Sequence, residues 1–214
     1  MFTLSGFADE ISPDLTIQLD TLSALQISYL ELRGVWDKNV LALSDEELDG
    51  VKAALNARHV GVSAIGSPIG KIQITDPFEP HLEAFQRAIQ IAERLGSNYI
   101  RLFSFFVPEG QADEFRPQVM ERLQALVDAA KGHPVMLLHE NERHIYGDIP
   151  RRCLDILETL ASPQLRMTFD PANFVICGVR PYSEGYDMLK DYIEYVHIKD
   201  ALMAEKQVVP AGQG

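Results

Sequence analysis

The chain has 214 residues and a hydrophobic content of 46%, which is ordinary for a soluble globular protein with one sizeable core. Its 31 acidic and 19 basic residues give a net charge of −12, and no Lys/Arg cluster offsets it, which excludes a nucleic-acid partner. No apolar run approaches the roughly 18 residues that span a bilayer, and the N-terminus lacks a basic signal-peptide region, so we expect a cytoplasmic protein without membrane contact.

Strand-like and helical segments alternate along the chain with a period of about 30 residues. The first predicted strand is Phe2–Ala8, followed by a helix with Ser12 as N-cap and Pro13 as the first helical residue. The second predicted strand is Ser28–Leu32. The motif Ser44-Asp45-Glu46-Glu47 then predicts a capping box at the start of the second helix.

The same alternation continues through the rest of the sequence. Val60–Ile65 is the third predicted strand, and His81–Leu95 is a helix with a continuous apolar stripe that ends at Gly96. The fourth strand is Tyr99–Phe105, and a fourth helix follows it. The remaining strands are Val135–Glu140, Arg166–Asp170 and Glu194–Lys199, separated by helices at about Pro150–Leu160 and near Ser183–Leu189.

Seven strands alternating with about six helices predict parallel βαβ connections, and the apolar strands fit a sheet buried on both faces. We therefore predict an α/β fold, a (β/α)8 TIM-type barrel, as a single domain over residues 1–214. An open doubly wound sheet is the alternative, although no Gly-rich phosphate loop follows the first strand. About seven βα units are present and strand eight is missing, so the barrel is predicted to be C-terminally truncated. The open edge favours a homodimer.

Three predicted strands end in a residue that can hold a divalent metal ion. These residues are Glu140, Asp170 and His197, and parallel strands would bring them together at the C-terminal mouth of a barrel. Two carboxylates and one imidazole suit Mn²⁺, Mg²⁺, Co²⁺ or Zn²⁺. Each residue alone also fits a structural role, as a solvated loop residue, a turn residue before proline and a buried histidine. Because side chains alternate along a strand, His139 should face away from Glu140.

Further residues are candidates for contacts with a substrate. Arg33 follows strand two and Lys71 follows strand three, where either side chain could reach hydroxyl or phosphate groups, although both also fit solvated surface cations. Trp36 lies on an early βα loop, and Lys199 closely follows His197. The predicted substrate-binding residues are Arg33, Trp36, Lys71, Asn173 and Lys199.

Six motifs that together cover nearly all of the chain carry a resemblance to a known family. They are Gly6-Phe7-Ala8-Asp9-Glu10, Leu30-Glu31-Leu32-Arg33, Ser67-Pro68-Ile69-Gly70-Lys71, His139-Glu140-Asn141-Glu142, Phe169-Asp170-Pro171-Ala172-Asn173 and His197-Ile198-Lys199-Asp200. The chain resembles the xylose-isomerase-like superfamily, a sugar phosphate isomerase/epimerase family. That group includes tagatose 3-epimerase, hydroxypyruvate isomerase, inosose dehydratase and, more distantly, endonuclease IV.

The resemblance implies one divalent ion, with Mn²⁺ expected first, held by Glu140, Asp170, His197 and a second glutamate from strand eight. It also implies that Glu140 is catalytic: one glutamate removes the proton α to a carbonyl, and the other returns it on the opposite face. This sequence departs from the pattern in two places. Asn173 stands where the epimerases often carry a histidine, and the expected strand-eight glutamate is missing.

The function implied is that of a metal-dependent isomerase or epimerase acting on a sugar, keto-sugar or cyclitol, either free or phosphorylated. The expected partner is a small-molecule sugar or sugar phosphate. A non-catalytic or truncated barrel that binds a metal or a sugar is the alternative from another class. A phosphodiesterase of the endonuclease IV type is disfavoured, because its extra histidines are absent from the ends of the early strands.

Overall fold

The structure, a computed structural model, describes residues 2–214 and divides into two compact units. No helix within residues 2–214 is long and apolar enough to cross a membrane. The first unit comprises the segment that ends at Ser67 together with Glu83–Arg101 and Gly132–Met136; the second comprises Pro68–Leu82, Leu102–Lys131 and Leu137–Gly214.

The first unit contains three parallel strands and most of three helices. Strands β1, β4 and β5 lie side by side in that order, and β2 and β3 form an antiparallel hairpin. Trp36 and Asp37 connect the hairpin with φ values of 55° and 58°, as a type I′ turn requires. The elements are α1 (Leu15–Ala24), β1 (Tyr29–Leu32), β2 (Gly34–Val35), β3 (Lys38–Asn39), α2 (Asp45–Ala57), β4 (Gly61–Ile65), α3 (Glu79–Leu95, from Glu83 onward in this unit) and β5 (Tyr99–Leu102, to Arg101 in this unit).

The predicted first strand, Phe2–Ala8, is wrong. Within this segment Gly6 alone forms a β-bridge, which is parallel and pairs it with Leu30. Ala8–Glu10 forms a short 3-10 helix instead. The side chain of Phe2 is 96% exposed, so burial contributes nothing to holding an extended conformation at this end.

The two predicted helix starts in the first unit have different outcomes. Helix α1 begins at Leu15 and not at Pro13, because the carboxylate of Asp14 accepts a hydrogen bond of 3.0 Å from the amide of Ile17. The capping box of α2 is confirmed: the Glu47 amide donates to Ser44 Oγ, and the Ser44 amide donates to the Glu47 carboxylate.

The second unit contains the other three parallel strands. Strands β6, β7 and β8 lie side by side in that order, and β9 and β10 form an antiparallel hairpin that packs on α6. The elements are α4 (Ala112–Ala130), β6 (Met136–Glu140, from Leu137 onward in this unit), α5 (Pro150–Leu160), β7 (Leu165–Phe169), α6 (Pro171–Ile176), α7 (Asp187–Leu189), β8 (Ile193–Val196), β9 (Asp200–Leu202) and β10 (Gln207–Val209).

The second unit differs from the sequence prediction near its C-terminal end. The predicted helix Ser183–Leu189 is a π-helical turn at Pro181–Tyr186 that continues into α7. After β8 the sequence analysis predicts no further strand, whereas the structure has the β9–β10 hairpin there. The residues after β10 are held by the Asp200 carboxylate, which accepts hydrogen bonds from the amides of Gly212 and Gly214.

The loop that carries Lys71 is held along the segment 103–106. The amides of Phe103 and Phe105 donate to the carbonyls of Ile69 and Gly70, at 2.8 and 3.0 Å. Gly70 has a φ of +88°, and a Cβ there would lie 2.0 Å from the Phe103 carbonyl oxygen, so only glycine fits. The backbone on either side of Lys71 is therefore fixed.

Candidate metal centre

The ends of β6, β7 and β8 bring the three predicted ligands together. Glu140 is the last residue of β6, Asp170 follows β7 directly, and His197 follows β8 directly. Because the strands are parallel neighbours, their carboxyl ends share one edge of the sheet. One ligand atom from each side chain lies within 4.8 Å of the other two.

The cluster is buried and ionisable. Glu140, Asp170 and His197 are only 5%, 1% and 8% exposed. His197 Nδ1 lies 3.0 Å from Glu140 Oε1 and 4.0 Å from Asp170 Oδ2. Burial raises the pKa of the Asp170 carboxyl, while Lys199 acts against the increase and Glu140 adds to it.

The donor atoms fit a single divalent ion. Two carboxylates and an imidazole are donors that Mn²⁺, Mg²⁺, Co²⁺ and Zn²⁺ all accept, at about 2.1 Å from the ion. Donors bound to one ion at that distance lie at most about 4.2 Å apart, so the observed spacing needs only small side-chain movements. Two carboxylates buried this close together also favour a cationic partner, which an ion would supply.

The side chain of Asn141 joins the ends of β6 and β7, a role that the sequence analysis missed. Its Nδ2 donates to the Asp170 carbonyl oxygen at 2.8 Å, and its Oδ1 accepts from the Asp170 amide at 2.9 Å. Asn141 is fully buried, so both halves of its amide need these partners. The sequence shows only that Asn141 directly follows a strand ending in a predicted ligand, and this position does not reveal its partner.

Asn173, a predicted substrate-binding residue, lies against the cluster on α6. Its amide N–H donates to Asp170 Oδ1 at 2.8 Å, so Asp170 is the N-cap of α6. Its side-chain Nδ2 donates to the Asn141 carbonyl at 2.9 Å and to Glu140 Oε1 at 3.4 Å. Lys199 Nζ in turn donates to Asn173 Oδ1 at 2.6 Å and to Asp170 Oδ2 at 3.2 Å.

His139 faces away from the cluster, as the alternation along β6 predicts. Its Nε2 lies 3.0 Å from Ser104 Oγ, which also accepts the Gly147 amide N–H at 2.7 Å. Burial lowers the pKa of His139 to about 4, so its imidazole is neutral at physiological pH. A Cβ on Gly147 would lie 2.4 Å from the His139 ring, which makes glycine necessary there.

The five predicted substrate-binding residues divide between the two units. In the second unit, Lys71, Asn173 and Lys199 line one cavity of about 590 Å³. In the first unit, Arg33 lines a cavity of about 380 Å³ and its guanidinium bonds to Asp9. The remaining residue, Trp36, is 38% exposed on the β2–β3 turn. A role in substrate binding stays a prediction for all five.

Comparisons with known proteins agree on one family. Residues 8–214 match the family model described as xylose isomerase-like TIM barrel. No curated protein has a sequence that matches this chain. Among solved structures, a D-tagatose 3-epimerase-like protein superposes with a TM-score of 0.79 at 19% identity, covering 99% of this chain and 80% of that chain.

Two other solved structures contain a metal ion. The IolI protein, solved with a bound zinc atom, gives a TM-score of 0.76 at 19% identity and covers 99% of this chain and 79% of its own. A xylose isomerase-like TIM barrel protein from Mycobacterium smegmatis, in complex with magnesium, gives a TM-score of 0.69 at 18% identity and covers 91% of this chain and 71% of its own. At these identities the likeness concerns the fold, and the family follows from the model match: the chain belongs to the xylose isomerase-like TIM-barrel family.

Proposed function

We propose that this protein is a metal-dependent isomerase or epimerase of sugars, keto-sugars or cyclitols that moves a proton at the carbon next to a carbonyl. The observation that carries the proposal is the buried cluster of Glu140, Asp170 and His197 at the ends of three neighbouring parallel strands. Membership in a family with epimerase-like relatives is consistent with it. The cavity that Asn173 and Lys199 line, next to the cluster, has room for a monosaccharide.

Glu140 is the proposed base. Its carboxylate would take the proton from the substrate carbon, and the electron pair of the broken C–H bond would move toward the carbonyl. The contacts of Glu140 Oε1 with His197 and Asn173 hold the carboxylate in one orientation. In the two-base scheme that the family resemblance implies, a second glutamate returns the proton. Within residues 2–214, Glu140 is the residue that we propose as a base.

Glu140, Asp170 and His197 are also the proposed metal ligands. A divalent ion held there would polarise the substrate carbonyl and so acidify the neighbouring C–H bond. Lys199 would balance the charge of Asp170 and hold Asn173 in place through its two hydrogen bonds. We propose Mn²⁺ first, with Mg²⁺, Co²⁺ and Zn²⁺ as alternatives that suit the same donors.

The compartment proposed for this reaction is the cytoplasm. Cys153 and Cys177 are free, and burial raises the pKa of both thiols, that of Cys177 to about 11. Neutral, unpaired thiols are typical of proteins kept in a reducing environment.

The test is proton exchange between substrate and solvent. The Mn²⁺-loaded protein is incubated in D₂O with a panel of ketohexoses and their 6-phosphates, and deuterium at the carbon next to the carbonyl is followed by NMR. We expect exchange with at least one sugar, and a decrease of about a hundredfold or more in Glu140→Gln, because the amide cannot accept the proton.

Glu158→Gln is the matched control, since Glu158 is an exposed residue of α5. Metal content is measured by elemental mass spectrometry on the same samples, so that loss of the base is distinguished from loss of the ion. Unchanged exchange in Glu140→Gln would remove the proposed role of this residue. Absence of exchange with every sugar would count against the reaction class.

A further inference from the structure

The cavity next to the metal cluster is lined by an unusual concentration of positive charge. Lys71, Arg143, Lys199 and Lys206 line it, with Glu142 as the one carboxylate among its lining residues. The whole chain has the opposite balance, with 31 acidic and 19 basic residues. Four cations facing one cavity in such an acidic protein are therefore a local feature that general composition does not explain.

These cations come from separate segments of the second unit, and two of them are held in position. Lys71 Nζ lies 4.3 Å from the centre of the Phe103 ring and 3.3 Å from Glu142 Oε2. The backbone around it is fixed by the hydrogen bonds to the segment 103–106 described above. Lys199 is held by Asp170 and Asn173. A charge that is already positioned loses little side-chain entropy when a ligand binds.

The other two cations have little opposing charge. Arg143 is an exposed residue directly after Glu142, and its amide N–H donates to the Glu142 carboxylate. Lys206 lies in the turn between β9 and β10, with φ of 50°, and a Cβ on Gly178 would lie 3.8 Å from its Nζ. Neither side chain has an acidic partner among the ion pairs of residues 2–214.

Of these four cations, Lys199 is partly offset by the neighbouring cluster, because its Nζ lies 3.2 Å from Asp170 Oδ2. The two buried carboxylates, Glu140 and Asp170, are the ones that a divalent ion would neutralise. With that ion in place, the four cations and the Glu142 carboxylate would leave about three net positive charges around the cavity. A substrate with one or two negative charges complements this field, and an uncharged sugar does not.

We propose that the substrate carries an anionic substituent, a phosphate ester or a carboxylate, which Lys71, Arg143 and Lys206 bind while the reacting end lies at the metal cluster. This inference rests on the proposed function for the placement of the reacting end only. The anion site itself depends on Lys71, Arg143 and Lys206 and on the cavity that they line.

The test measures binding without turnover. Dissociation constants are determined by calorimetry for matched ligands: D-fructose, D-fructose 6-phosphate and the keto-aldonate 5-keto-D-gluconate. We expect a charged ligand to bind at least about tenfold more tightly than D-fructose at low salt, with the advantage decreasing as ionic strength rises. Preference for the phosphate or for the carboxylate identifies the source of the charge.

Variants of the lining residues then test the assignment. We expect Lys71→Gln, Arg143→Gln and Lys206→Gln each to weaken binding of the charged ligand about threefold to tenfold, and to change D-fructose binding less than twofold. Glu142→Gln should act in the opposite direction and tighten binding of the charged ligand, because it removes the one carboxylate of the lining. All four side chains line an open cavity, so these changes should not disturb the fold.

Lys131→Gln is the control, since Lys131 is an exposed cation outside the cavity that pairs with Asp128. Equal affinities for charged and neutral ligands, or an equal loss in Lys131→Gln, would overturn the anion site. The deuterium exchange experiment remains separate from this one. Exchange on neutral sugars alone would support the proposed reaction and overturn the anion site. Charge-selective binding without exchange would support the anion site and count against the proposed reaction.

Discussion

At the scale of single residues, the neighbours His139 and Glu140 have opposite environments. The Glu140 carboxylate lies in the candidate metal centre, where His197 and Asn173 contact it. The His139 imidazole lies on the other face of β6, fully buried against Ser104 and Gly147. One strand end thus places a carboxylate in the candidate metal centre on one side and a packed imidazole on the other.

The buried imidazole of His139 makes stability depend on pH. Its pKa is about 4 in the folded protein, against about 6.5 in an unfolded chain. Between these values the unfolded chain binds a proton that the folded protein does not, so this stability is complete above about pH 6.5 and is lost as pH falls toward 4. The shift corresponds to a loss of about 3 kcal/mol in the free energy of unfolding between pH 8 and pH 4. Urea unfolding at a series of pH values, with EDTA present, measures this loss.

The variant His139→Gln isolates this contribution. It is expected to be less stable at pH 8 but to lose about 3 kcal/mol less than the unmutated protein between pH 8 and pH 4. His59→Asn is the control, because His59 is exposed and asparagine tolerates its positive φ of 55°. Parallel pH profiles for the unmutated protein and His139→Gln would show that His139 does not titrate as expected.

At the scale of secondary structure, Asp170 belongs both to the end of a strand and to the start of a helix. It follows β7 as a proposed metal ligand, and it is the N-cap of α6 through its hydrogen bond from the Asn173 amide. The start of this short helix and the position of the ligand are therefore set by the same carboxylate.

Two substitutions separate the cap from the ligand. Asp170→Asn retains an oxygen that can accept from the Asn173 amide, whereas Asp170→Ala removes the acceptor. In EDTA we expect the alanine variant to be about 1 kcal/mol less stable than the asparagine variant, measured by urea unfolding. Equal stabilities would mean that the cap contributes nothing measurable to α6.

Some secondary-structure elements could be predicted from the sequence and others could not, and the difference has a physical cause. The ends of β6, β7 and β8 could be predicted to within about three residues, because a buried apolar run that stops at a carboxylate or an imidazole is visible locally. The segment Phe2–Ala8 has the same apolar appearance, but only tertiary contacts decide whether such a run is covered, and Phe2 is exposed. The Asn141 contact and the cation cluster join segments distant in sequence, which local patterns do not encode.

At the scale of the whole molecule, metal binding should stabilise the fold. An ion that binds only the folded state at 100 times its dissociation constant adds about 2.7 kcal/mol to the free energy of unfolding. For a chain of 214 residues we expect the melting temperature to rise by about 5 to 10 °C on adding Mn²⁺ after dialysis against EDTA, as followed by scanning calorimetry.

The same measurement on variants tests the ligand set. The rise in melting temperature should be lost in Asp170→Asn and His197→Gln, and kept in Asp128→Asn, which alters an exposed carboxylate on α4. If the unmutated protein shows no rise with Mn²⁺, Mg²⁺, Co²⁺ or Zn²⁺, the cluster is not a metal site. An equal rise in all variants would place the ion elsewhere.

The paired hydrogen bonds of Asn141 have a consequence for how ions would exchange. They hold the backbone of Asp170 next to the end of β6, independently of any bound ion. An arriving ion would therefore meet donors whose main chain is already in place, and a departing one would leave no strand end to reorganise. Replacement of one metal by another should then be rapid, and the ion carried in the cell would follow the relative supply of metals.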